Sequence, residues 1–121
     1  MEWYAAHAIM YLEYTDGLPQ EEYTVWENIF LVEAEDETKA LKKSAILAAS
    51  DEDIKGEHGT VEQGRPGRWL FAGIRKLVRC VDSPTRPDDG SEVTYSTYLV
   101  DSADEARAVA AGEALTLKYL E

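Results

Sequence analysis

Few residues of this sequence have the types and spacing that catalysis or metal binding needs. The chain has two histidines, His7 and His58, and one cysteine, Cys80. None of them has the C-x-x-C or H-x-x-x-H spacing of a zinc site, so we expect no bound metal. No nucleophile elbow is present, so the sequence assigns no catalytic residue and no cofactor.

The histidines and the cysteine are predicted to be structural. His7 lies in an apolar segment typical of a strand and is expected to be packed and hydrogen-bonded. His58, within GEHGT, is expected in a solvated loop. Cys80 ends another apolar segment and resembles a small core residue. A lone cysteine forms no internal disulfide and fits a reducing compartment.

One basic run contrasts with an acidic chain. The stretch GRPGRWLFAGIRKLVRC, Gly64 to Cys80, contains no acid, although the chain has 24 acidic residues, 12 basic residues and a formal net charge of −12. The acids elsewhere would repel a phosphate backbone, so we expect no nucleic-acid partner. The basic residues of the run are Arg65, Arg68, Arg75, Lys76 and Arg79, and the first two are candidates for holding a small anion.

Length and composition indicate a single globular domain over residues 1–121. The chain is 45% apolar, with three Trp and seven Tyr, and a domain of this size buries roughly two thirds of its unfolded surface. No apolar run approaches the roughly 18 residues of a membrane span. The start, MEWYAAHAIMYLEY, has acids in place of a basic signal-peptide region,. We therefore predict a cytoplasmic protein that does not enter membranes.

An internal repeat organises the sequence. FLVEAEDETKALKKSA (30–45) and YLVDSADEARAVAAGE (98–113) share an aromatic-Leu-Val-acid start, an Asp-Glu pair and an alanine at the same place. Upstream, WYAA (3–6) resembles WLFA (69–72). The pattern predicts two tandem units, about 3–50 and 68–121, joined by a polar loop at 51–67.

Each unit is predicted to contain two strands and a helix. Segments 2–15, 22–34, 68–81 and 93–101 are rich in aromatic and β-branched residues,. Acids open a first helix near Glu35 and a second near Ala103. The predicted fold class is α+β, a mainly antiparallel four-stranded sheet with two helices on one face. The expected sheet-facing helix stripes are Leu41, Ala45 and Ala48, and then Ala106, Val109, Ala110, Ala114 and Leu117.

Strand alternation sorts the side chains onto two faces. The predicted core row, under the helices, comprises Tyr4, Ala6, Ala8, Met10, Leu12, Trp26, Phe30, Val32, Ala34, Leu70, Ala72, Ile74 and Val78. The opposite face is half apolar and also carries acids and arginines, whereas a face left to water is normally polar. We expect Arg75 and Arg79 there to pair with Glu13, Glu27 or Glu33, within the sheet or across an interface. Lys76 falls on the core row, and a bulge at Gly73 or a snorkelling side chain would accommodate it.

Two functions remain open from these patterns. The first is a non-catalytic protein-interaction module, a homodimer or a binder of another protein, because aromatics and arginine are enriched in interfaces. The second is a small-molecule or anion-binding protein, or an enzyme, with a pocket between the sheet and the 51–67 loop. Candidate interface residues are Trp3, His7, Ile9, Tyr11, Glu27, Trp69, Phe71, Arg75 and Arg79. Candidate ligand-binding residues are His7, Tyr11, Trp26, Glu27, Arg68 and Arg75.

The stretches WYAAHAIMYLEY, VWENIFLVEAEDETKAL and GRPGRWLFAGIRKLV resemble a bacterial family known as domain-of-unknown-function family 4288. They cover about residues 3–78, roughly two thirds of the chain. The resemblance implies a small cytoplasmic bacterial protein and no particular activity.

Overall fold

The computed structural model describes residues 1–50, 52, 61–62, 64–80, 88–113 and 118–120. Two α-helices and antiparallel strands make up its fold. In chain order the elements are β1 (Glu2–Tyr14), β2 (Val25–Ala34), α1 (Glu37–Ala49), β3 (Val61–Glu62), β4 (Arg65–Arg79), β5 (Thr97–Leu99), α2 (Ala103–Ala110) and β6 (Lys118–Leu120). No helix among these residues is long and apolar enough to span a membrane.

The antiparallel sheet has three long strands in the order β2-β1-β4, and β3 adds a two-residue ladder against the start of β4. The predicted four-stranded sheet is therefore wrong. Its expected fourth strand contributes only β5, which pairs with β6 in a separate two-stranded ladder. Of the predicted loop, residues 51, 53–60 and 63 lie outside the described part, and 65–67 already belong to β4.

The core forms where α1 covers one end of the sheet. Tyr4 of β1 pairs with Val32 of β2, and both are buried against Ala40 of α1. Asp36 caps the helix, because its side chain accepts a hydrogen bond from the Lys39 amide at 2.8 Å,. The face assignments of β1 and β2 agree with the alternation pattern.

The buried face of α1 differs from the predicted stripe at its first two positions, whereas Ala48 is buried as predicted. The buried residues of α1 are Ala40, Ser44 and Ala48, whereas Leu41 is exposed. The Ser44 hydroxyl donates to the Ala40 carbonyl at 2.7 Å, so its polarity is satisfied inside the helix,. Small side chains four residues apart let the helix lie close to the strands.

β4 carries two register irregularities against β1, on either side of Gly73. Its pairing skips Arg75 between His7 and Ala8, and skips Ala72 between Ile9 and Met10. Each is a β-bulge, in which one extra residue opposes a regular strand. Gly73 has φ +154°, which favours glycine,. Of the two alternatives that we expected for Lys76, bulges are therefore observed close to Gly73, with Arg75 and Ala72 as the extra residues.

This register corrects the faces assigned to β4. Trp69, Phe71 and Leu77 pair with Leu12, Met10 and Ala6, which point to the side of α1. Leu70 and Val78 pair with Tyr11 and Ala5 on the opposite side, together with Lys76. Of the predicted β4 core row, Ile74 alone pairs onto the α1 side, opposite Ala8. Both rows of β4 are apolar, so hydrophobicity alone did not distinguish them.

The arginines of β4 pair with acids of β1, β2 and the turn after β1. Arg65 forms a bidentate salt bridge with Asp16, in which Nε donates to Oδ2 at 2.7 Å and Nη2 donates to Oδ1 at 2.8 Å. This guanidinium lowers the pKa of the Asp16 carboxyl to about 2. The other pairs are Arg68 with Glu13 at 2.6 Å, Arg75 with Glu27 at 2.8 Å and Arg79 with Glu2 at 3.1 Å. The predicted pairing is thus confirmed for Arg75, while Arg79 uses Glu2 instead.

The second unit does not repeat the packing of the first. Strand, strand and helix recur in order, and α2 begins at Ala103 as predicted, with Ser102 as its cap. However, α2 buries none of its residues, and within the described residues it packs on no other helix or strand. The prediction of two helices on one face is therefore wrong for α2. Ala114 and Leu117, the end of its predicted stripe, lie outside the described residues.

Gly67 provides a test of how closely β1 and β4 approach. A Cβ at this position would lie 2.8 Å from Cδ1 of Leu12 and 3.3 Å from the Glu13 carbonyl oxygen. We expect Gly67→Ala to lower the free energy of unfolding by about 1–3 kcal/mol, the usual cost of overpacking, measured by urea denaturation. In the double variant Leu12→Ala/Gly67→Ala the two losses should be less than additive. Strict additivity would contradict the close contact.

Candidate functional site

The chemically most distinctive cluster surrounds His7, in the middle of the central strand. His7 is 1% exposed, and its neighbours on the sheet are Ile29 of β2 and Lys76 of β4. The side chain points to the face opposite α1, because it alternates with Ala6 and Ala8. A histidine so deeply buried needs partners for both ring nitrogens.

Both ring nitrogens of His7 have such partners. Nδ1 lies 2.5 Å from Oε2 of Glu27, and Nε2 lies 2.5 Å from the hydroxyl of Thr94. The same Glu27 oxygen accepts hydrogen bonds from Nη2 and Nε of Arg75 at 2.8 and 3.1 Å. Hydroxyl, imidazole, carboxylate and guanidinium therefore form one hydrogen-bonded chain.

The charges in this cluster determine where its protons lie. Arg75, followed by the His7 hydrogen bond, lowers the pKa of Glu27 more than partial burial raises it. Glu27 is then an ionised acceptor, so Nδ1 of His7 carries a proton and donates to it. The other ring nitrogen, Nε2, lies within hydrogen-bond distance of the Thr94 hydroxyl, which can both donate and accept,.

Thr94 belongs to residues 91–96, a segment without helix or strand that contacts the β4 half of this sheet face. Lys76 donates to the Tyr95 carbonyl at 2.5 Å and to the Ser96 hydroxyl at 3.1 Å. The Cys80 thiol lies 3.5 Å from the Val93 carbonyl and is buried. We call residues 91–96 the covering segment. It attaches the chain beyond β4 to the sheet.

The order of groups in Thr94–His7–Glu27 is the one that activates a hydroxyl in acyl transfer. Such chemistry requires a substrate beside the hydroxyl and donors for the developing oxyanion. Here the imidazole is enclosed, and the hydroxyl serves to join the covering segment to the sheet. We therefore interpret the hydrogen bonds that link Thr94, His7 and Glu27 as a structural connection between the covering segment and the sheet, and we call it the clasp. Among the described residues no group of three or more His, Cys, Asp or Glu side chains is placed to hold a metal.

The structure brings together only part of the predicted sites. Trp3, His7, Ile9, Tyr11 and Glu27 share the face opposite α1, and Arg75 reaches Glu27 there. Trp69, Phe71 and Arg79, which we expected on the same face, pair onto the α1 side instead. The nine predicted interface residues therefore do not form one surface.

The predicted ligand-binding set is divided in the same way. Trp26 lies on the α1 side, stacked on Trp69 with ring centroids 4.5 Å apart. Arg68 is engaged by Glu13. The expected pocket beneath the 51–67 loop involves residues outside the described part of the chain. Thr94 was missed, because a threonine in a polar stretch carries no pattern that links it to His7, 87 residues away.

A polar groove of about 490 Å³ lies at the end of the sheet near Arg65. It contains none of the six predicted ligand-binding residues. The Arg65 guanidinium is already paired with Asp16 and lies 4.0 Å from the centre of the Tyr14 ring. Glu21 and Glu22 also line the groove, so it does not favour an anion.

Three apolar side chains are exposed on the β2 half of the face opposite α1. The side chains of Val25, Ile29 and Leu31 project there and are 55%, 50% and 40% exposed. We call these three residues the β2 row. Their carboxylate neighbour Glu27 is turned towards Arg75 and His7. The row is therefore an apolar strip, and the carboxylate between Val25 and Ile29 is paired with Arg75 and His7.

Removal of the Thr94 hydroxyl tests the clasp. Thr94→Val keeps the side-chain shape but leaves Nε2 of buried His7 without its partner. We expect the free energy of unfolding to fall by about 1–3 kcal/mol, the cost of an unsatisfied buried group, in urea denaturation. Thr97→Val, on exposed β5, is the matched control and should change stability little. Equal effects of the two substitutions would contradict the clasp.

The Arg75–Glu27 pair predicts a pH effect. The pKa of Glu27 is lower in the folded protein than in the unfolded chain, where it is about 4.3,. The pair therefore stabilises the fold at pH values above the unfolded-state pKa, and this stabilisation is lost as the pH falls through the folded-state pKa. Arg75→Gln should raise the pKa of Glu27, measured by NMR titration of its side-chain carboxyl carbon. Arg79→Gln, which removes the separate pair with Glu2, should leave it unchanged. An unchanged pKa in Arg75→Gln would show that the guanidinium is not the cause.

Comparison with known proteins gives one result. Residues 3–96 match a family described as a domain of unknown function, DUF4288. The match includes His7, Glu27, Arg75 and Thr94, and ends with the covering segment, just before β5. Searches of curated proteins and of solved structures gave no match. Since the matched region is more than half of the chain, this protein belongs to the DUF4288 family.

Proposed function

We propose that this chain is a non-catalytic protein-interaction module that self-associates through β2. The observation that carries the proposal is the β2 row, in which Val25, Ile29 and Leu31 are each at least 40% exposed. A sheet face that is exposed to water normally carries polar residues at such positions. Apolar side chains that remain together on a sheet face favour a protein partner.

The contrast between the two halves of the same face supports this interpretation. The β4 half is covered by residues 91–96, which engage His7 and Lys76. The covering segment makes no hydrogen bond with β2 backbone among the described contacts, and β2 is the edge of the sheet. The covering segment thus contacts only the β4 half of this face and leaves the apolar side chains of the β2 row exposed. A second molecule would cover the rest.

Charge determines how salt should act on such a dimer. Each chain has a formal net charge of −12, so two copies repel each other. The arginines near the face are already paired within the chain and add little attraction between copies. Added salt screens the repulsion, whereas apolar contacts persist. Self-association should therefore strengthen as salt increases.

Solution mass tests the proposal. By size exclusion with light scattering, wild type should reach the dimer mass at high protein concentration, with a larger dimer fraction in about 1 M salt than in about 0.05 M. The double variant Ile29→Lys/Leu31→Lys should remain monomeric. Leu41→Lys, an exposed substitution on α1, is the control and should behave as wild type. A monomeric wild type at every concentration and salt would refute self-association.

A further inference from the structure

The backbone of β2 has a regular set of outward-facing groups. The Leu12 amide donates to the Thr24 carbonyl at 3.0 Å, and the register continues without a shift to Ala34. In an antiparallel pair the residues that face the partner strand alternate. The even-numbered residues of β2 therefore bond to β1, and the odd-numbered residues direct their amides and carbonyls away from the sheet.

One of these outward groups is already occupied. Nζ of Lys43 donates to the Glu33 carbonyl at 2.9 Å, so α1 closes this end of the edge. Among the described contacts no hydrogen bond reaches the outward backbone groups of the other four residues, Val25, Glu27, Ile29 and Leu31. They are symmetric about Asn28, and three of them form the β2 row. A strand that adds here would meet open backbone groups and apolar side chains together.

We propose that β2 pairs antiparallel with β2 of a second copy, about a two-fold axis at Asn28. The inference rests on the proposed self-association and specifies its geometry. Val25 then lies opposite Leu31 of the second copy, and Glu27 opposite its Ile29. All four outward residues of each strand gain backbone partners, and the two three-stranded sheets become one sheet of six strands.

The α1 side of the strand fits the same arrangement. Trp26 is 54% exposed and lies beyond the end of the sheet that α1 covers. About the proposed axis it faces Phe30 of the second copy, a partly buried aromatic residue. Asn28 faces its own copy, so two amide side chains meet at the axis and can hydrogen-bond to each other.

Neighbouring axes are less favourable. An axis at Glu27 places two Glu27 side chains opposite each other, and an axis at Phe30 places Glu27 opposite Glu33; directly opposed like charges are destabilising. An axis at Ile29 uses the Glu33 carbonyl, which Lys43 already binds. The axis at Asn28 avoids both conflicts.

Engineered cysteines test the geometry. In a Cys80→Ser background, which removes the native buried thiol, Asn28→Cys places two thiols on the axis. Their Cα atoms would be about 4.5 Å apart, the spacing of a pair without mutual hydrogen bonds, and within disulfide range. Mild oxidation should convert this variant to a covalent dimer. Ile29→Cys is the control, because a two-residue offset separates its Cα atoms by about 8 Å, beyond disulfide reach.

The outcomes separate this inference from the broader proposal. A covalent dimer of Asn28→Cys, with Ile29→Cys uncrosslinked, supports the axis. Cross-linking of Ile29→Cys alone overturns the axis. If wild type is a dimer by light scattering but neither cysteine variant cross-links, edge pairing is overturned and self-association still holds. A wild-type monomer overturns both. Hydrogen exchange on the unmodified protein gives a second measurement: the amides of Glu27, Ile29 and Leu31 should gain protection as concentration rises, and unchanged protection would overturn the pairing.

Discussion

The pairing of β1 with β4 is the constraint on which the rest of this structure depends. It places Arg68 beside Glu13, Arg75 near Glu27 across β1, and Arg79 beside Glu2. Each pair is partly exposed, and such pairs contribute only about 0–1 kcal/mol. Their larger effect is on register, because a shifted pairing would separate opposite charges that lie along the whole strand. A basic strand in an acidic chain is thus explained by its neighbours within the sheet.

The bulges around Gly73 connect this pairing to the His7 cluster. The extra residue Arg75 is out of the regular alternation, and its guanidinium reaches Glu27 on the far side of β1. Glu27 then orients His7, and His7 binds Thr94. The strand irregularity, the buried histidine and the attachment of residues 91–96 are therefore one connected arrangement. The match to the DUF4288 family covers all four residues.

The same arrangement accounts for the uneven surface. The covering segment lies over the β4 side of the face opposite α1, and apolar side chains of β2 are exposed on the other side. Glu27 turns inwards to Arg75 and leaves Ile29 and Leu31 as the exposed part of the strand. The acidic remainder of the surface favours solubility. Within the described part of the chain, β2 is also the edge of the sheet, so its exposed apolar side chains lie beside outward-facing backbone groups.

Local patterns determined β1, β2 and α1 in the first half of the chain, and the start of α2 in the second. These elements follow from alternation, turn chemistry and helix-capping residues, which depend on neighbours a few positions away. The family resemblance was also readable from Trp3 to about Val78. Only the tertiary structure decided which face of β4 meets α1, since both of its rows are apolar and the choice depends on pairing with β1. It also decided that β5 pairs with β6 outside the main sheet and that Thr94 contacts His7. Both depend on residues that are too distant in sequence for a local pattern to predict.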